Sequence, residues 1–210
     1  MRLRVLIIGA GAVGSLIGAR LALAGHDVTL VGRAALRDAV AAGGLTFIAP
    51  DGTRQTTRPQ VATSAADALA GSHRFDLACL TFKAYDTAAV IEELVPLKDA
   101  LPPLISFQNG IGNEEALAAA FGADRVIAGA LDTPVSVPAA GQVQVHRPRY
   151  RMGLAAVGAA GVGEAATALG QAGFDVTTYA DYRSLKWSKL LLNLLANASC
   201  AILDWTPAQV

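Results

Sequence analysis

A chain of 210 residues has room for one large α/β unit, or one unit plus the start of a second. Hydrophobic residues make up 53% and charged residues 16%, against a usual charged share of roughly 25%, so the core is large and some apolar surface is left for a partner to cover. Seventeen basic and seventeen acidic residues cancel with no basic block, which argues against nucleic acid as a partner.

Leu3 to Ile8 is a branched, mostly apolar run suited to a strand buried on both faces of a parallel sheet. Ala12 to Ala24 reads as a helix with Gly25 as its stop. Arg2 and Arg4 ahead of this apolar stretch imitate a secretory leader. Glycines at 9, 11, 14 and 18, Arg20, and a second strand from Asp27 to Val31 instead give the spacing of a βαβ unit. The stretch is also shorter than the roughly 20 apolar residues a bilayer span requires. A protein outside the membrane and in the cytoplasm is expected, and two widely separated cysteines, Cys79 and Cys200, fit a reducing compartment. His26, His73 and His146 are scattered without metal-ligand spacing and read as surface or turn residues.

Ala34 to Ala42 is expected to be helical, while the polar, turn-rich segment from Leu45 to Pro59 supports no assignment. Ser64 caps a short helix to Ala70. The next strands are predicted over Phe75 to Phe82, Leu104 to Phe107 and Val126 to Leu131, with helices from Asp86 to Leu94 and Asn113 to Phe121 between them. This alternation predicts an α/β fold with a Rossmann-type, doubly wound parallel sheet. Short antiparallel strands are expected at Val135 to Val137, Gln142 to His146 and Arg151 to Leu154. A helix over Gly163 to Ala172 and a strand over Asp175 to Tyr179 follow. The last element is a long helix from Asp181 to about Ala201, apolar almost all round and so expected to be buried on most sides. Residues 1–180 are taken as the nucleotide-binding domain and 181–210 as the start of a helical one.

Gly9-Ala10-Gly11-Ala12-Val13-Gly14 is a G-x-G-x-x-G turn between strand and helix. The first glycine makes the turn, the second lets a pyrophosphate approach the backbone, and the third lets helix pack on strand. The helix N-terminus then offers free N–H groups to phosphate. The second strand ends Val31-Gly32-Arg33, with Arg37 one turn later, where an NAD enzyme normally carries Asp or Glu. A guanidinium in place of a carboxylate suits the 2′-phosphate, so NADP(H) is the expected cofactor.

Thirteen of the seventeen basic residues are arginine, and the four lysines are Lys83, Lys98, Lys186 and Lys189. Lysine sheds its proton when desolvated and arginine does not. Lys83 and Asn109-Gly110 each follow a strand at its carboxyl end, the edge where Gly9 and Arg33 also lie and where open α/β sheets bind ligands. Lys189, Asn193 and Asn197 recur every four residues and share one face of the final helix, suited either to a solvated stripe or to a polar pocket wall.

Taken with Gly25-His26-Asp27-Val28, Thr81-Phe82-Lys83-Ala84-Tyr85, Gln108-Asn109-Gly110 and Trp187-Ser188-Lys189-Leu190-Leu191-Leu192-Asn193, these residues resemble the ketopantoate reductase (2-dehydropantoate 2-reductase) family. The resemblance implies NADPH-dependent reduction of a small-molecule 2-keto acid, ketopantoate, on the route to pantothenate and coenzyme A. It makes Lys189 the general acid, places Asn109 between nicotinamide and substrate and Lys83 beside the cofactor, and gives Asn193 and Asn197 the substrate hydroxyl. It also implies a C-terminal helical domain carrying the lysine's acidic partner, and commonly a homodimer. Asn197-Ala198-Ser199 and Asp132-Thr133-Pro134 depart from the family's usual pattern. Reduction of a different 2-keto acid and a non-catalytic NADP-binding module are the alternatives.

Overall fold

The computed structural model describes residues 1–71, 74–194 and 199–205. Twelve strands are present: β1 (Arg4–Ile8), β2 (Asp27–Val31), β3 (Leu45–Ile48), β4 (Arg54–Thr57), β5 (Gln60–Ala62), β6 (Leu77–Leu80), β7 (Leu104–Ser106), β8 (Val126–Asp132), β9 (Val135–Ser136), β10 (Gln142–Val145), β11 (Arg151–Ala156) and β12 (Asp175–Thr178). The α-helices are α1 (Ala12–Leu23), α2 (Ala34–Gly43), α3 (Ala65–Leu69), α4 (Thr87–Leu94), α5 (Asn113–Phe121), α6 (Gly163–Gln171), α7 (Tyr182–Asn193) and α8 (Ser199–Leu203).

The main sheet runs β12-β11-β8-β7-β6-β1-β2-β5. From β5 to β8 every pairing is parallel, and the chain order across those six strands is that of a dinucleotide-binding sheet, with the switch point between β1 and β6. β11 pairs antiparallel with β8, and β12 lies parallel to β11 at the edge. Alternate residues of β1 feed two cores. Val5 and Ile7 join Leu16, Ile17 and Leu30 on one face, and Leu6 and Ile8 join Leu80, Leu104 and Leu117 on the other. The unbroken apolar run of β1 is thus the signature of a strand covered on both sides.

Helix α1 is covered on both sides too. It packs on β1 and β2 and, across its opposite face, on a second sheet ordered β4-β3-β10-β9. That is why it lacks a polar face, and why the sequence around it imitates a leader. The unassigned segment from Leu45 to Pro59 is the β3–β4 hairpin of this second sheet. The three strands expected to be antiparallel each make an antiparallel pairing, β9 with β10 and β11 with β8, but in two different sheets, and β10 and β11 also pair parallel with β3 and β12. A period-2 pattern shows that a strand exists and cannot show its partner. Arg20 joins the layers: its Nε donates to the Ala172 carbonyl at 2.8 Å, and its guanidinium lies 5.3 Å from the Phe47 ring and 5.6 Å from Tyr150.

Asp181 caps α7, its carboxylate accepting from the amides of Arg183 at 3.2 Å and Ser184 at 2.9 Å. Tyr182, Leu185 and Lys186 are buried in that helix, which packs on β8 and β11. The expected burial on most sides does not hold among the described residues: Leu191 is 56% and Leu192 57% exposed. The leucines go round the helix, but only one stripe meets the sheet. Among the described residues no helix is long and apolar enough to cross a membrane.

Cys79 is fully buried in β6, which pushes its thiol up to about 12, in keeping with a small hydrophobe. His26, read as a surface or turn residue, lies in the turn between α1 and β2 but is not on the surface. It is 7% exposed, and its Nδ1 accepts the Leu3 amide at 3.1 Å, anchoring the entry to β1. Burial, then repulsion from the N-terminal ammonium, holds its pKa below 6.5. A folded-state value below the unfolded one means stability that is present above about pH 6.5 and lost as pH falls through the folded value. The urea midpoint of the wild type is therefore expected to drop on acidification below that point. His26→Asn, which cannot titrate there, is expected to drop less over the same interval, and equal drops would remove His26 from the acid response.

Candidate functional site

The turn after β1 has almost no room for side chains. Gly9 has φ +96°, and a Cβ there would sit 2.6 Å from the Phe82 amide nitrogen. At Gly14 a Cβ would lie 2.5 Å from Thr81 Oγ1 and 3.0 Å from Ile7 Cγ2, so the third glycine seats helix on strand. At Gly11 the nearest atom would be the Gly9 carbonyl oxygen at 3.9 Å, which leaves bare backbone facing open space. Thr81 locks the turn from β6, its hydroxyl donating to the Gly9 carbonyl at 2.8 Å. The amides of Gly9 and Ala10 are spent on the Val31 carbonyl, at 3.2 and 2.9 Å, and that of Gly11 on the Gly9 carbonyl. Ser15 makes the first helical bond, to Gly11, so Ala12 and Val13 stand at an N-terminus whose amides have no preceding helical carbonyl. This geometry fits a diphosphate held by main-chain amides.

At the end of β2, a Cβ on Gly32 would meet Leu36 Cδ2 at 2.9 Å and Ala10 Cβ at 3.2 Å. This second close approach was not singled out in the sequence, where an isolated glycine carries little signal. Arg33 follows as the exposed N-cap residue of α2, and Arg37 is paired with its neighbour Asp38 at 2.9 Å. Of the two guanidiniums, Arg33 is the one at the strand end. Lys83 is exposed and precedes the single 3₁₀ turn Ala84–Asp86.

The loop after β7 is held from below. Gln108 is 3% exposed; its Nε2 donates to Thr87 Oγ1 at 2.7 Å, and Thr87 donates to Asn113 Oδ1 at 3.0 Å. Asn113 in turn donates to the Asn109 carbonyl at 3.2 Å. Asn109 itself is exposed, and its side-chain oxygen lies 3.5 Å from Asn193 Nδ2 of α7, a long contact at the limit of a hydrogen bond.

Lys189 Nζ donates to Asp132 Oδ1 at 3.1 Å, with the lysine side chain 16% exposed and the carboxylate 51%. Asp132 ends β8 at the same sheet edge as Gly9, Arg33 and Asn109. A pair this open contributes ~0.2–1 kcal/mol, enough to orient the ammonium and not to hold the helix. The resemblance implies an acidic partner of Lys189 in a C-terminal domain; within the described residues the lysine meets Asp132, in the segment that departs from the family's usual pattern. Asn197 lies outside the described residues.

Lys186 was also missed. Its ammonium is 2.9 Å from Glu114 Oε1, with the two side chains 4% and 1% exposed, and it donates to the carbonyls of Gln108 and, at 3.4 Å, Gly129. The approach to Glu114 is ionic rather than along a hydrogen-bond direction, and neither carboxylate oxygen accepts a directed bond. A lone buried lysine in a leucine-rich helix gives no sequence sign of what it meets.

Comparison with known proteins places this arrangement. The sequence profile described as ketopantoate reductase PanE/ApbA matches residues 5–159. A 2-dehydropantoate 2-reductase from Halobacterium salinarum is 34% identical over 96% of this chain and 66% of its own length, and one from Pyrococcus horikoshii is 32% identical over 96% and 64%. The crystal structure of 2-dehydropantoate 2-reductase from Geobacter metallireducens superposes with a TM-score of 0.84 and 29% identity, over 96% of this chain and 66% of that one. The chain therefore spans about two thirds of the length of these relatives. With its Rossmann-type sheet, glycine turn and lysine-bearing helix, the chain belongs to the ketopantoate reductase PanE/ApbA family, a family of oxidoreductases.

Proposed function

We propose that this chain binds NADPH and carries the general acid of a reductase that converts 2-dehydropantoate to pantoate, on the route to pantothenate and coenzyme A. The observation that carries the reading is the meeting of α7 with the carboxyl edge of the sheet, where Lys189 contacts Asp132 and Asn193 reaches Asn109, on the edge that holds the bare glycine turn. The turn from Gly9 through Ala10, Gly11, Ala12 and Val13 to Gly14 would seat the pyrophosphate, with the amides of Ala12 and Val13 left to bind it, Arg33 would hold the 2′-phosphate, and Lys83 and Asn109 the nicotinamide end. When bound, the nicotinamide supplies hydride to the keto carbon.

The residues of the chain do the rest. Lys189 holds a proton at the keto oxygen and releases it as the alcohol forms, which leaves a 2-hydroxy acid. Its ammonium also stabilises charge developing on that oxygen, by about 3 kcal/mol for one well-placed donor. Asp132 keeps Lys189 turned toward the sheet edge until substrate enters. Asn109, Asn193 and Asn197 supply amide donors and acceptors that orient a small hydroxylated acid. We assign residues 1–180 to cofactor binding and 181 onward to a helical substrate and dimerisation domain; the exposed Trp187, Leu191, Leu192 and Leu194 support burial of α7 against further helices.

Lys189→Ala in the full chain is expected to lower kcat by roughly 10²–10³-fold. Its NADPH affinity is expected to stay within about twofold by fluorescence titration, since its charge lies away from the glycine turn. An unchanged kcat would remove Lys189 from the chemistry. Turnover of other 2-keto acids but not ketopantoate would keep the mechanism and change the substrate, and tight NADPH binding with no turnover would leave a binding module.

Arg33→Ala is expected to weaken NADPH about 10-fold or more while leaving NADH unchanged, the effect of losing one charged hydrogen bond to phosphate. Equal wild-type affinities for the two nucleotides would reject the specificity assigned to Arg33.

A further inference from the structure

We propose that Lys186 is a positioning residue for this reductase site, setting α7 against β7, β8 and α5 so that Lys189 and Asn109 face one another across the sheet edge. The inference rests on the proposed reductase reading. Lys186 lies three residues before Lys189, on the adjoining stripe of the same helix. Its ammonium donates to the Gln108 and Gly129 carbonyls and makes a close charge contact with Glu114. Each belongs to an element that carries part of the site. Gln108 immediately precedes Asn109 in the chain. Gly129 is three residues before Asp132 on β8. Glu114 lies in the first turn of α5, directly after the loop that Asn109 opens.

The strengths of the two lysine contacts differ in kind. Lys189 and Asp132 form a half-exposed pair that water screens and that cannot fix a helix. Lys186 and Glu114 are withdrawn from water, where breaking one partner strands the other charge. Burying two ions is a poor way to gain net stability, because apolar side chains of similar size do as well or better. What the group adds is direction: an ammonium held by two carbonyls and the charge of Glu114 favours one placement of the helix. The backbone it grips cannot drift. Gln108 is tied through Thr87 to Asn113, and a Cβ on Gly129 would lie 2.6 Å from the Phe107 ring. With its donors committed inside the protein, Lys186 does not touch substrate.

The test compares the wild-type full chain with Lys186→Met plus Glu114→Gln, which removes both charges and keeps the side-chain volumes. NADPH affinity and the KM for NADPH are expected to stay within about twofold, because the glycine turn is untouched. kcat with ketopantoate is expected to fall on the order of 10²-fold, the cost of reacting groups set about an ångström out of place. A double variant with wild-type kcat would overturn the positioning role and leave only a structural pair. If that variant does not fold, Lys186→Arg serves: its planar fork keeps the charge but not the three-way geometry, and the same fall in kcat without loss of NADPH binding is expected, with wild-type kcat again overturning the proposal. A wild-type chain that reduces no 2-keto acid would overturn the reductase reading itself, and the inference with it.

Discussion

Where β1 turns into α1, backbone must come within touching distance of backbone, and the rest of the molecule is arranged around that approach. Gly9 lies against the Phe82 amide just past the end of β6, and Gly14 against Thr81 and Ile7, so the first two central strands and the first helix form one close-packed unit. A side chain at either position would push α1 off the sheet. The same squeeze leaves Gly11 open on its outer side, and a turn that is bare outward and tight inward is what main-chain recognition of a diphosphate requires.

Seating α1 this closely creates a second demand. A helix pressed onto one sheet normally keeps a wet face, yet α1 is covered on the far side by the four-stranded sheet. The strands of that sheet come from two distant stretches, β3–β4 and β9–β10, and their inner residues Phe47, Val143 and Val145 join the core that contains Leu16 and Ile17. Arg20, at the helix end, satisfies its guanidinium on a carbonyl and two aromatic rings instead of water. The helix whose N-terminus opens at the glycine turn is thereby clamped on two faces.

The two lysines of α7 sit in different surroundings. Taking an ion from water to the interior costs several kcal/mol, so an enclosed lysine such as Lys186 must have its partners in place. Lys189 is partly exposed and meets the half-exposed carboxylate of Asp132. One ammonium is enclosed and the other reaches the sheet edge, although the two residues are identical and three positions apart.

Much of this was legible in the residues. Strand β1, helix α1 and the glycine turn are local: their signal is periodicity and glycine spacing, which report how a segment is covered whatever covers it. The Lys189–Asn193 face could be read for the same reason, since helical spacing alone sets it. What the sequence could not supply is the identity of partners across space. Nothing local tells Gln142–Val145 that it will pair parallel with β3, or Leu45–Ile48 that it belongs to a second sheet. Nothing local distinguishes Lys186 from Lys189, or ties Asp132 to α7 and His26 to the Leu3 amide. Helix faces and turn geometry follow from the chain's own bond rotations, whereas pairing, burial and charge compensation are settled only when segments far apart in sequence close on one another and exclude water.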